Sequence, residues 1–529
     1  MSKLAEYLNQ HILGNVFDSP LIRETYSTDR SILKMTPRLV ALPETTNDIR
    51  KLLRFSSQLA SRDFRLPVTV RGTGLDKTGA SIGSGLIIST EKLNHIEEID
   101  VRGRLVRVQP GITLGALNEA LRLRGMCLPI VYDPRATIGG LIANCPNDDA
   151  SERYGGIFRF VDRLEVVLAS GDIVQLSPQS LRSVEAKIAS TLPEGELYRK
   201  IEHIIDESAD TILDCGMRPL DLAGYRGIAQ VRSSHSLNLL PLMFGSQGTL
   251  AVISDVILHV ETLPPDPERM MVSFHDLKAA QRFLNFVRDL EPFLLKVYDL
   301  RIIEAAAERG KKPDLFTRKL GKGLLVIVSF DYRRSRNRKK FEQCLTILPP
   351  NTFSVLESPE NGAAFDSLYN SLLSYLNDDG RGEHAPIMDD VFVPSMHFGD
   401  FLDGLKELED ELRVDLPIFG SFATSSYNVR PRFDCTSIDG RKQIINFLKR
   451  YSQLVLDCQG SLTGNGPEGQ VKALMAPRTL GVGERQLYSN IKEAFDPLGI
   501  LNPHVKLGAD IKNIIRHIRT TEKGGIITP

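Results

Sequence analysis

One residue type and several sequence patterns are missing from this chain of 529 residues. It contains no tryptophan, and none of its six cysteines forms a C-x-x-C pair, which argues against an iron–sulfur cluster or a cysteine-rich zinc site. The longest apolar runs, such as LLVIV at 324–328, are far too short to cross a bilayer. The first residues, MSKLAEYLNQH, lack the apolar centre of a signal peptide. We therefore expect a cytoplasmic protein with buried, inert thiols.

Neither sign of charge is in excess. The 65 basic and 66 acidic side chains give a formal net charge of −1, so no global field draws the chain to nucleic acid. The strongest local charge is the run RRSRNRKK at 333–340. Two interpretations of this run stay open: a solvated helix start, or a patch that contacts anionic lipid at the inner face of the membrane or an acidic partner.

Common nucleotide and hydrolase signatures are also absent. The sequence has no G-x-x-x-x-G-K-[ST] loop, and no G-x-G-x-x-G follows a strand, so a Rossmann dinucleotide site has no support. GASIG at 79–83 fits G-x-S-x-G, but a nucleophile elbow needs a strand before the serine and a helix after it. Here a loop precedes the serine and a strand follows, which argues against a serine hydrolase.

The apolar periodicity predicts an α+β protein. A β-α-β unit leads into a glycine-rich loop, hairpins follow, and the pair Pro264-Pro265 marks the best domain boundary. Beyond that boundary, strands and helices alternate in a way that predicts an antiparallel sheet with helices on one side. The predicted domains are a helical N-terminal arm (1–35), a first domain (36–263, with a helical insert at about 178–235), a second domain (264–437) and a C-terminal helical segment that returns to the first domain (438–529).

Four loops carry a chemical signal. RGTG at 71–74 follows a strand and offers closely spaced backbone N–H groups, which suits a pyrophosphate. TIGG at 137–140 would let a flat ring or a phosphate approach the backbone. The other two loops are FGSQGTL at 244–250 and FDPLGILNP at 495–503. Taken singly, each is more often a structural turn than a ligand loop.

Taken in order, these loops are much more specific. The series PVTVRGTG, VRVQPGITLGALNEAL, DPRATIGGLIAN, YGGIFRFVDRLEVVLASGDIV, GSQGTLAVIS and AFDPLGILNP resembles the PCMH-type FAD-binding domain of the vanillyl-alcohol oxidase superfamily. It is most similar to the flavin-linked D-lactate and D-2-hydroxyacid dehydrogenases, over about residues 25–508. The resemblance implies a two-part FAD-binding domain, an antiparallel α/β cap domain and C-terminal helices.

The resemblance also implies which residues contact FAD. The first two loops would wrap the pyrophosphate through backbone N–H groups, and Gly139 and Gly140 would pass close to the flavin. Leu75 and Asp76 stand where covalent relatives have histidine, so noncovalent FAD is expected, although Asp76 places a negative charge near the diphosphate. The residues implied to bind the cofactor are Arg71, Gly72, Thr73, Gly74, Leu75, Asp76, Pro110, Thr137, Gly139, Gly140, Asn144, Cys145, Tyr154, Gly155, Val161, Gly248 and Asn502.

The chemical site departs from the family pattern. Both cap-domain histidine positions are lost, to Ser421 and Asn428, and the later Glu-His pair reads Asn465-Gly466. The stretch that supplies a carboxylate-binding arginine aligns with 369–372, which holds none. We therefore expect no metal and no obvious general base. The remaining polar candidates are Arg430, as a carboxylate clamp or a structural ion pair; His504, as a substitute base or a surface residue; and Lys472, Asp389, Asp390, His384 and His397.

Two functions follow from this sequence. The first is an FAD-dependent oxidoreductase that moves hydride from a 2-hydroxyacid to the flavin and on to an acceptor other than a nicotinamide. The second is a flavoprotein with degraded chemistry that serves as an electron-transfer or interaction subunit. The family's fused cysteine-rich module is not present in the sequence, so electrons are expected to leave through a partner redox protein or a quinone.

Overall fold

The computed structural model of the chain describes residues 2–216, 221–308, 321–350, 352–377, 386–435 and 437–519. Its residues form two compact units. Unit 1 comprises Met1–Pro146, Gly156–Thr262 and Thr463–Ile518, and unit 2 comprises Asn147–Gly155, Leu263–Leu462 and Arg519–Pro529. Among the described residues, no helix has the length and apolar character needed to span a membrane. The mixture of helix and sheet confirms the predicted α+β class.

Helices and strands are interspersed along the whole described chain. The helices are α1 Lys3–Asn9, α2 Pro20–Thr25, α3 Thr46–Ala60, α4 Leu114–Arg122, α5 Ile138–Asn144, α6 Ser151–Tyr154, α7 Leu181–Ile188, α8 Pro193–Glu207, α9 Ala209–Gly216, α10 Leu240–Met243, α11 Leu277–Arg288, α12 Leu300–Glu308, α13 Arg334–Thr346, α14 Gly362–Asn377, α15 Phe398–Leu412, α16 Ile438–Asp457, α17 Ala476–Thr479, α18 Val482–Phe495 and α19 Ile511–His517. The strands are β1 Asn15–Phe17, β2 Leu39–Leu42, β3 Val68–Arg71, β4 Leu86–Ser89, β5 Ile96–Asp100, β6 Leu105–Val108, β7 Met126–Cys127, β8 Val161–Val167, β9 Ile173–Leu176, β10 Gln179–Ser180, β11 Ser236–Leu237, β12 Val252–His259, β13 Glu261–Thr262, β14 Glu268–Phe274, β15 Leu294–Asp299, β16 Leu324–Phe330, β17 Ser354–Leu356, β18 Val391–Phe392, β19 Ile418–Ser421 and β20 Ser426–Val429.

Unit 1 contains two larger sheets. The first has the order β1-β2-β4-β3, in which β4 pairs in parallel with both β2 and β3. Helix α3 connects β2 to β3 and packs Ile49, Leu52 and Leu53 into the core beneath this sheet, as their spacing along one helix face requires. The second sheet is antiparallel, with the order β5-β6-β12-β8-β9. The glycine-rich loop that starts at Gly72 leaves the carboxyl end of β3.

Unit 2 is built on an antiparallel sheet with the order β17-β14-β16-β15-β19-β20-β18. Its interior strand β16, LLVIVSF, lies between β14 and β15 and is buried along its whole length, which explains why its sequence is one apolar run. Helices α12 and α14 cover one face, where Tyr298, Phe419 and Ile327 belong to the same apolar cluster. On α15 and α16, Phe401 and Tyr451 bring their rings within 6.2 Å of each other.

The N-terminal arm differs from the helical segment that the sequence predicts. Helix α1 ends at Asn9, and Val16 then lies in strand β1, which pairs antiparallel with β2. Val16 is buried. The Asn9 amide group donates to the Val16 carbonyl oxygen through Nδ2 and accepts the Val16 N–H through Oδ1. A three-residue strand has too few residues to show a period of two, so local periodicity does not reveal it.

The C-terminal change of unit also differs in position from the predicted one. Helix α16, which begins at Ile438, belongs to unit 2, and the chain enters unit 1 only at Thr463. The reason is packing: α16 buries Phe447, Leu448 and Tyr451 within unit 2. The predicted domain limits remain a proposal.

Candidate functional site

The loop after β3 presents a run of unused backbone donors. In the part of the chain that the structure describes, the N–H groups of Gly72, Thr73, Gly74 and Leu75 donate to no protein acceptor. Gly74 has a φ of +75°, a left-handed conformation that suits glycine. Consecutive N–H groups in such a turn form a concavity that favours anions. The geometry of the loop is compatible with the diphosphate of FAD, and the contact itself stays a prediction.

Thr137 lies directly against this loop. A Cβ built on Gly72 would come within 2.2 Å of Thr137 Oγ1, so only glycine fits there without displacing the threonine. Thr137 is the N-cap of α5, where its Oγ1 accepts the Gly140 N–H at 3.2 Å. Thr73 Oγ1 donates to the Arg135 carbonyl oxygen at 2.8 Å, which fastens the two loops together. The structure thus brings together the first two loops that the sequence singles out.

The two glycines of the second loop have bonding partners within the chain, and their predicted proximity to the flavin stays a prediction. Gly139 and Gly140 lie in the first turn of α5 rather than in an open loop. The Gly139 N–H donates to the Pro110 carbonyl oxygen at 2.8 Å, and a Cβ on Gly139 would approach Pro110 Cβ to 2.8 Å. Both glycine N–H groups therefore bond to protein atoms, and the close approach that needs Gly139 is to Pro110.

The Asp76 carboxylate accepts hydrogen bonds from neutral groups of the chain. Its Oδ1 accepts the N–H groups of Thr78 and Ala80, each at 2.8 Å, and the Thr78 hydroxyl at 2.9 Å. Its Oδ2 lies 3.4 Å from Gln247 Nε2. The charge that the sequence places near the diphosphate is thus directed into the following turn.

A buried amide junction joins five segments of unit 1 that are distant in sequence. Gln247 Nε2 donates to Asn144 Oδ1 at 3.1 Å, and Gln247 Oε1 accepts the Gly469 N–H at 2.8 Å. Asn502 Nδ2 donates to the carbonyl oxygens of Ala80, at 2.7 Å, and Gln247, at 2.8 Å. Asn144 and Asn502 were predicted as cofactor ligands, whereas the central position of Gln247 is apparent only from the fold.

The other predicted cofactor residues of unit 1 lie at the ends of strands and helices or in turns, and their contact with FAD stays a prediction. Arg71 Nη1 donates to the Thr28 carbonyl oxygen at 2.7 Å, and its guanidinium lies 5.3 Å from the centroid of the Tyr26 ring. Cys145 is buried at the C-cap of α5 with a φ of +43°. Gly248 has a φ of +67° and lies beside Val70, while Val161 is the first residue of β8.

Asp133 holds the second loop through two arginines. Its Oδ2 lies 2.9 Å from Arg30 Nη2 and 2.9 Å from Arg135 Nη2. Burial alone would raise the pKa of Asp133, but the hydrogen bonds from Arg135 and the charges of both arginines lower it to about 2. Because the folded pKa is depressed, the stabilisation is present above about pH 4 and is lost as the pH falls towards 2.

Asp133→Asn is expected to lower the free energy of unfolding by about 1–2 kcal/mol at pH 7, because it leaves both arginines without their carboxylate. The difference from wild type should shrink at pH 3. Urea unfolding at the two pH values measures this difference. The matched control is Asp172→Asn, because Asp172 Oδ1 lies 3.4 Å from Nη2 of Arg54, a half-exposed arginine. An equal loss for both variants, or a loss independent of pH, would contradict the assignment.

Tyr154 and Gly155, which were predicted to line the cofactor, belong to unit 2. The Tyr154 hydroxyl donates to Asp331, whose Oδ1 lies 2.6 Å from Arg153 Nε. Burial and the Asp331 carboxylate raise the pKa of Tyr154 to about 12. The Arg153 guanidinium also lies 3.9 Å from the centroid of the Tyr332 ring. Cofactor contact by Tyr154 and Gly155 stays a prediction.

The two lost histidine positions lie on adjacent strands of unit 2. Ser421 ends β19 and Asn428 lies in β20, and both are buried. Directly opposite Ser421 in register is Lys296 of β15, whose Nζ lies 2.6 Å from Asp149 Oδ2. Sequence reasoning missed Lys296 because no local pattern distinguishes a lysine in a strand, and only the register places it here.

Arg430 makes a buried ion pair. Its side chain is 6% exposed, and its two terminal nitrogens donate to both carboxylate oxygens of Asp389, with Nη2 at 2.8 Å from Oδ2. The guanidinium also lies 4.8 Å from the centroid of the Phe419 ring. Of the two interpretations of Arg430, this geometry favours the structural ion pair, because Asp389 already occupies the bidentate edge that a substrate carboxylate would need.

The remaining polar candidates have separate surroundings. His504 is exposed, with a φ of +70°, and its Nδ1 lies 3.0 Å from the Gly508 carbonyl oxygen. Lys472 is buried, and its Nζ lies 3.3 Å from the Gly466 carbonyl oxygen. His397 Nδ1 lies 3.1 Å from Asp400 Oδ2. His384 lies outside the described residues. The described ranges contain no group of three or more His, Cys, Asp or Glu side chains that could hold a metal ion.

Two family models match the chain. The model described as an FAD binding domain matches residues 37–177, and the model of the C-terminal domain of FAD linked oxidases matches residues 263–505. The structure is similar to that of alkyldihydroxyacetonephosphate synthase, with a TM-score of 0.63, 16% identity, and coverage of 95% of this chain and 86% of that one. At this identity the similarity concerns the fold alone.

Curated relatives are similar over nearly the whole chain. The D-2-hydroxyglutarate dehydrogenase of Pantoea ananatis is 25% identical over 518 residues, which cover 93% of this chain and 50% of that protein. The glycolate oxidase subunit GlcD of Bacillus subtilis is 23% identical, covering 94% of this chain and 95% of that one. The D-lactate dehydrogenase of Anaerostipes hadrus is 22% identical, covering 91% and 92%.

The chain spans about half the length of the D-2-hydroxyglutarate dehydrogenases that it matches. The two family models together account for most of its length, and the predicted family and cofactor are both confirmed. The chain therefore belongs to the FAD-linked oxidase superfamily, and FAD is its cofactor.

Proposed function

We propose that this protein is an FAD-dependent oxidoreductase that oxidises the CH–OH group of a 2-hydroxyacid to the 2-oxoacid. The observation that carries the proposal is the loop Gly72–Leu75, whose backbone donors face no protein acceptor in the described chain, within a domain of an FAD-binding family. FAD, held there without a covalent bond, supplies the two-electron acceptor. The substrate would lose a hydride from its carbon and a proton from its hydroxyl.

The substrate class is supported by what the relatives are named for. These proteins are D-2-hydroxyglutarate dehydrogenases, D-lactate dehydrogenases and a glycolate oxidase subunit. The substrates in those names are 2-hydroxyacids. We therefore propose that the substrate is a 2-hydroxyacid, and the assay below identifies the substituent on its second carbon.

The reaction needs a group that accepts the hydroxyl proton of the substrate, and this chain lacks the histidines of the family at that place. Ser421 and Asn428, at the lost histidine positions, cannot act as bases near neutral pH, and Arg430 is both cationic and paired with Asp389. His504 is the best remaining candidate. Its Nδ1 must carry a hydrogen to bond to a carbonyl oxygen, so its Nε2 is the acceptor when the ring is neutral.

A second function is favoured by these same losses. A flavoprotein that keeps FAD but no longer oxidises hydroxyacids would need the loop Gly72–Leu75 and not the histidines. Such a protein would serve as an electron-transfer or interaction subunit. The absence of a potential metal-ligand group from the described residues favours this alternative.

We propose that electrons leave to a partner redox protein or a quinone, and that the protein is cytoplasmic. The basic run 333–340 begins α13, and its side chains at 333, 334, 336, 338 and 339 are exposed. The run supports two possibilities: a solvated helix start, or a contact with anionic lipid or an acidic partner at the inner face of the membrane.

The test is anaerobic mixing of the yellow holoprotein with D-lactate, glycolate and D-2-hydroxyglutarate, with and without EDTA. At least one acid is expected to bleach the flavin, slowly and with no effect of EDTA, because a well-placed base typically contributes about 10²–10⁴-fold in rate. L-Lactate is the stereochemical control for D-lactate. No bleaching by any acid would overturn the oxidoreductase and favour the subunit.

The role of His504 is tested in the same assay. If it is the base, His504→Ala should lower the bleaching rate by about 10²-fold or more, whereas His235→Ala, an exposed histidine of the same unit, should leave the rate unchanged. Equal rates for wild type and His504→Ala would exclude this histidine. Turnover of D-lactate at the rate of an ordinary dehydrogenase that EDTA abolishes would show that a metal acts despite the lost histidines.

A further inference from the structure

We propose that unit 2 binds the carboxylate of its acid directly, without a metal ion, on a donor patch formed by Lys296, Ser421, Thr424, Ser426 and Asn428. The patch lies on β15, β19, β20 and the turn between the last two strands. The inference rests on the proposed function for the identity of the acid. It adds the group that holds the acid and the reason why no metal is needed.

The register of three strands assembles the patch. Lys296 is the direct partner of Ser421, and Ser421 is the direct partner of Ser426. Direct partners in antiparallel strands point to the same face, with their Cβ atoms about 4.5–5.5 Å apart. The three side chains therefore form one row across the sheet. Asn428 stands two residues beyond Ser426 and so shares its face.

The polar groups of the patch are arranged to donate. Thr424 is 4% exposed, and its Oγ1 is buried without a hydrogen-bond partner in the described structure. Ser421 Oγ accepts the Thr424 N–H at 3.4 Å, so its own O–H is the donor that it offers. Asn428 Oδ1 accepts the Asp390 N–H at 2.7 Å, which directs the amide NH2 away from that contact. A buried hydroxyl without a partner costs free energy, which a bound ligand would recover.

Lys296 gives the patch its charge. Its side chain is 13% exposed, and Asp149, 19% exposed, lies 2.6 Å from its Nζ. An ammonium group carries three N–H bonds and no lone pair, so it can share an additional carboxylate but cannot coordinate a metal. The hydroxyl and amide groups beside it are neutral and lack the imidazole or thiolate that transition metals prefer. The patch therefore favours an anion over a divalent cation.

The charge of Asp389, close to the patch in sequence and register, is already balanced. Asp389 is held by Arg430 through both carboxylate oxygens, so its charge does not oppose an incoming anion. The Asp390 N–H bonds to Asn428, which fixes the orientation of that amide. The carboxylate nearest to the Lys296 ammonium is Asp149, so a test of the patch must remove both members of this pair together.

The test is calorimetric titration of the holoprotein with oxamate, a non-oxidisable 2-oxoacid analogue, and with its uncharged counterpart oxamide, each with and without EDTA. Oxamate is expected to bind at least about 10-fold more tightly than oxamide. The double variant Lys296→Met/Asp149→Asn removes the ion pair without leaving a lone charge. This double variant should lower the affinity for oxamate by about 10- to 100-fold, as expected for the loss of hydrogen bonds to charged groups. The control is Lys442→Met, an exposed lysine of the same unit that is 3.2 Å from Asp439.

A second variant keeps the patch testable if the first one does not fold. Thr424→Val keeps the volume of the side chain and removes its hydroxyl. It should therefore lower the affinity for oxamate about 3- to 10-fold, while the affinity for oxamide changes little. Unchanged oxamate affinity in both variants would overturn the patch, as would binding that EDTA abolishes. Oxamate binding that depends on the patch, in a protein whose flavin no hydroxyacid bleaches, would support the patch and overturn the proposed oxidation.

Discussion

Protein with valine in place of Gly72 is expected to be colourless after purification. The valine Cβ would lie 2.2 Å from Thr137 Oγ1 and 2.9 Å from Thr137 Cγ2, and Thr137 is the N-cap of α5. Either the loop moves away, which displaces the donors of Gly72–Leu75, or α5 loses its cap. In both cases the diphosphate of FAD would lose the backbone donors that we propose for it. The measurement is the ratio of flavin to protein absorbance, before and after incubation with excess FAD.

The control for this variant is Gly216→Val in the same unit. A Cβ at Gly216 would have Ala229 Cβ as its nearest neighbour, at an ordinary contact distance of 3.5 Å, so this protein should remain yellow. Far-ultraviolet circular dichroism establishes that both variants are folded. A folded Gly72→Val protein that retained a full equivalent of FAD would show that the loop does not hold the diphosphate.

Arg430→Leu is expected to cause a large loss of stability in unit 2. The change leaves the Asp389 carboxylate buried without the guanidinium that now holds both of its oxygens. Breaking a buried pair in this way typically costs about 3–5 kcal/mol. The measurement is the midpoint of urea unfolding, followed by a signal that reports on the whole chain.

A double variant distinguishes an ion pair from a substrate clamp. Arg430→Leu/Asp389→Leu removes both charges and should recover most of the lost stability, because apolar groups of similar size can replace a buried pair at little cost. If Arg430 is purely structural, the double variant should also keep the oxamate affinity of wild type. A stable double variant that had lost oxamate binding would assign Arg430 to the substrate after all.

The sequence was most informative where a function depends on the backbone. The loop RGTG and the segment TIGG could be located from their glycines, because glycine records where the chain turns sharply or approaches another segment closely. The same sequence could not reveal whether Gly139 approaches a ligand or Pro110. Both demands select the same residue, and only the fold distinguishes them.

The positions of Lys296 and Gln247 could not be predicted for a different reason. The surroundings of each are set by residues more than 100 positions away, through strand register in one case and through three converging loops in the other. The short strand β1 was missed on similar grounds, since it exists because β2 pairs with it. Long-range pairing leaves no trace in local periodicity, whereas α3 could be predicted because its apolar stripe is a local pattern.

The contact of the segment 500–502 with β3 has a consequence for synthesis of the chain. The Val68 N–H donates to the Ile500 carbonyl oxygen at 2.8 Å, the Asn502 N–H donates to the Val68 carbonyl oxygen at 2.7 Å, and Thr69 bonds to a side chain 433 positions later. At roughly 5–20 residues per second, a ribosome needs about 20–90 s to make the intervening chain. During that interval one edge of the first sheet has no partner, and exposed edges promote pairing with other chains. The nascent protein is therefore more exposed to aggregation before the segment 500–502 has emerged and reached β3.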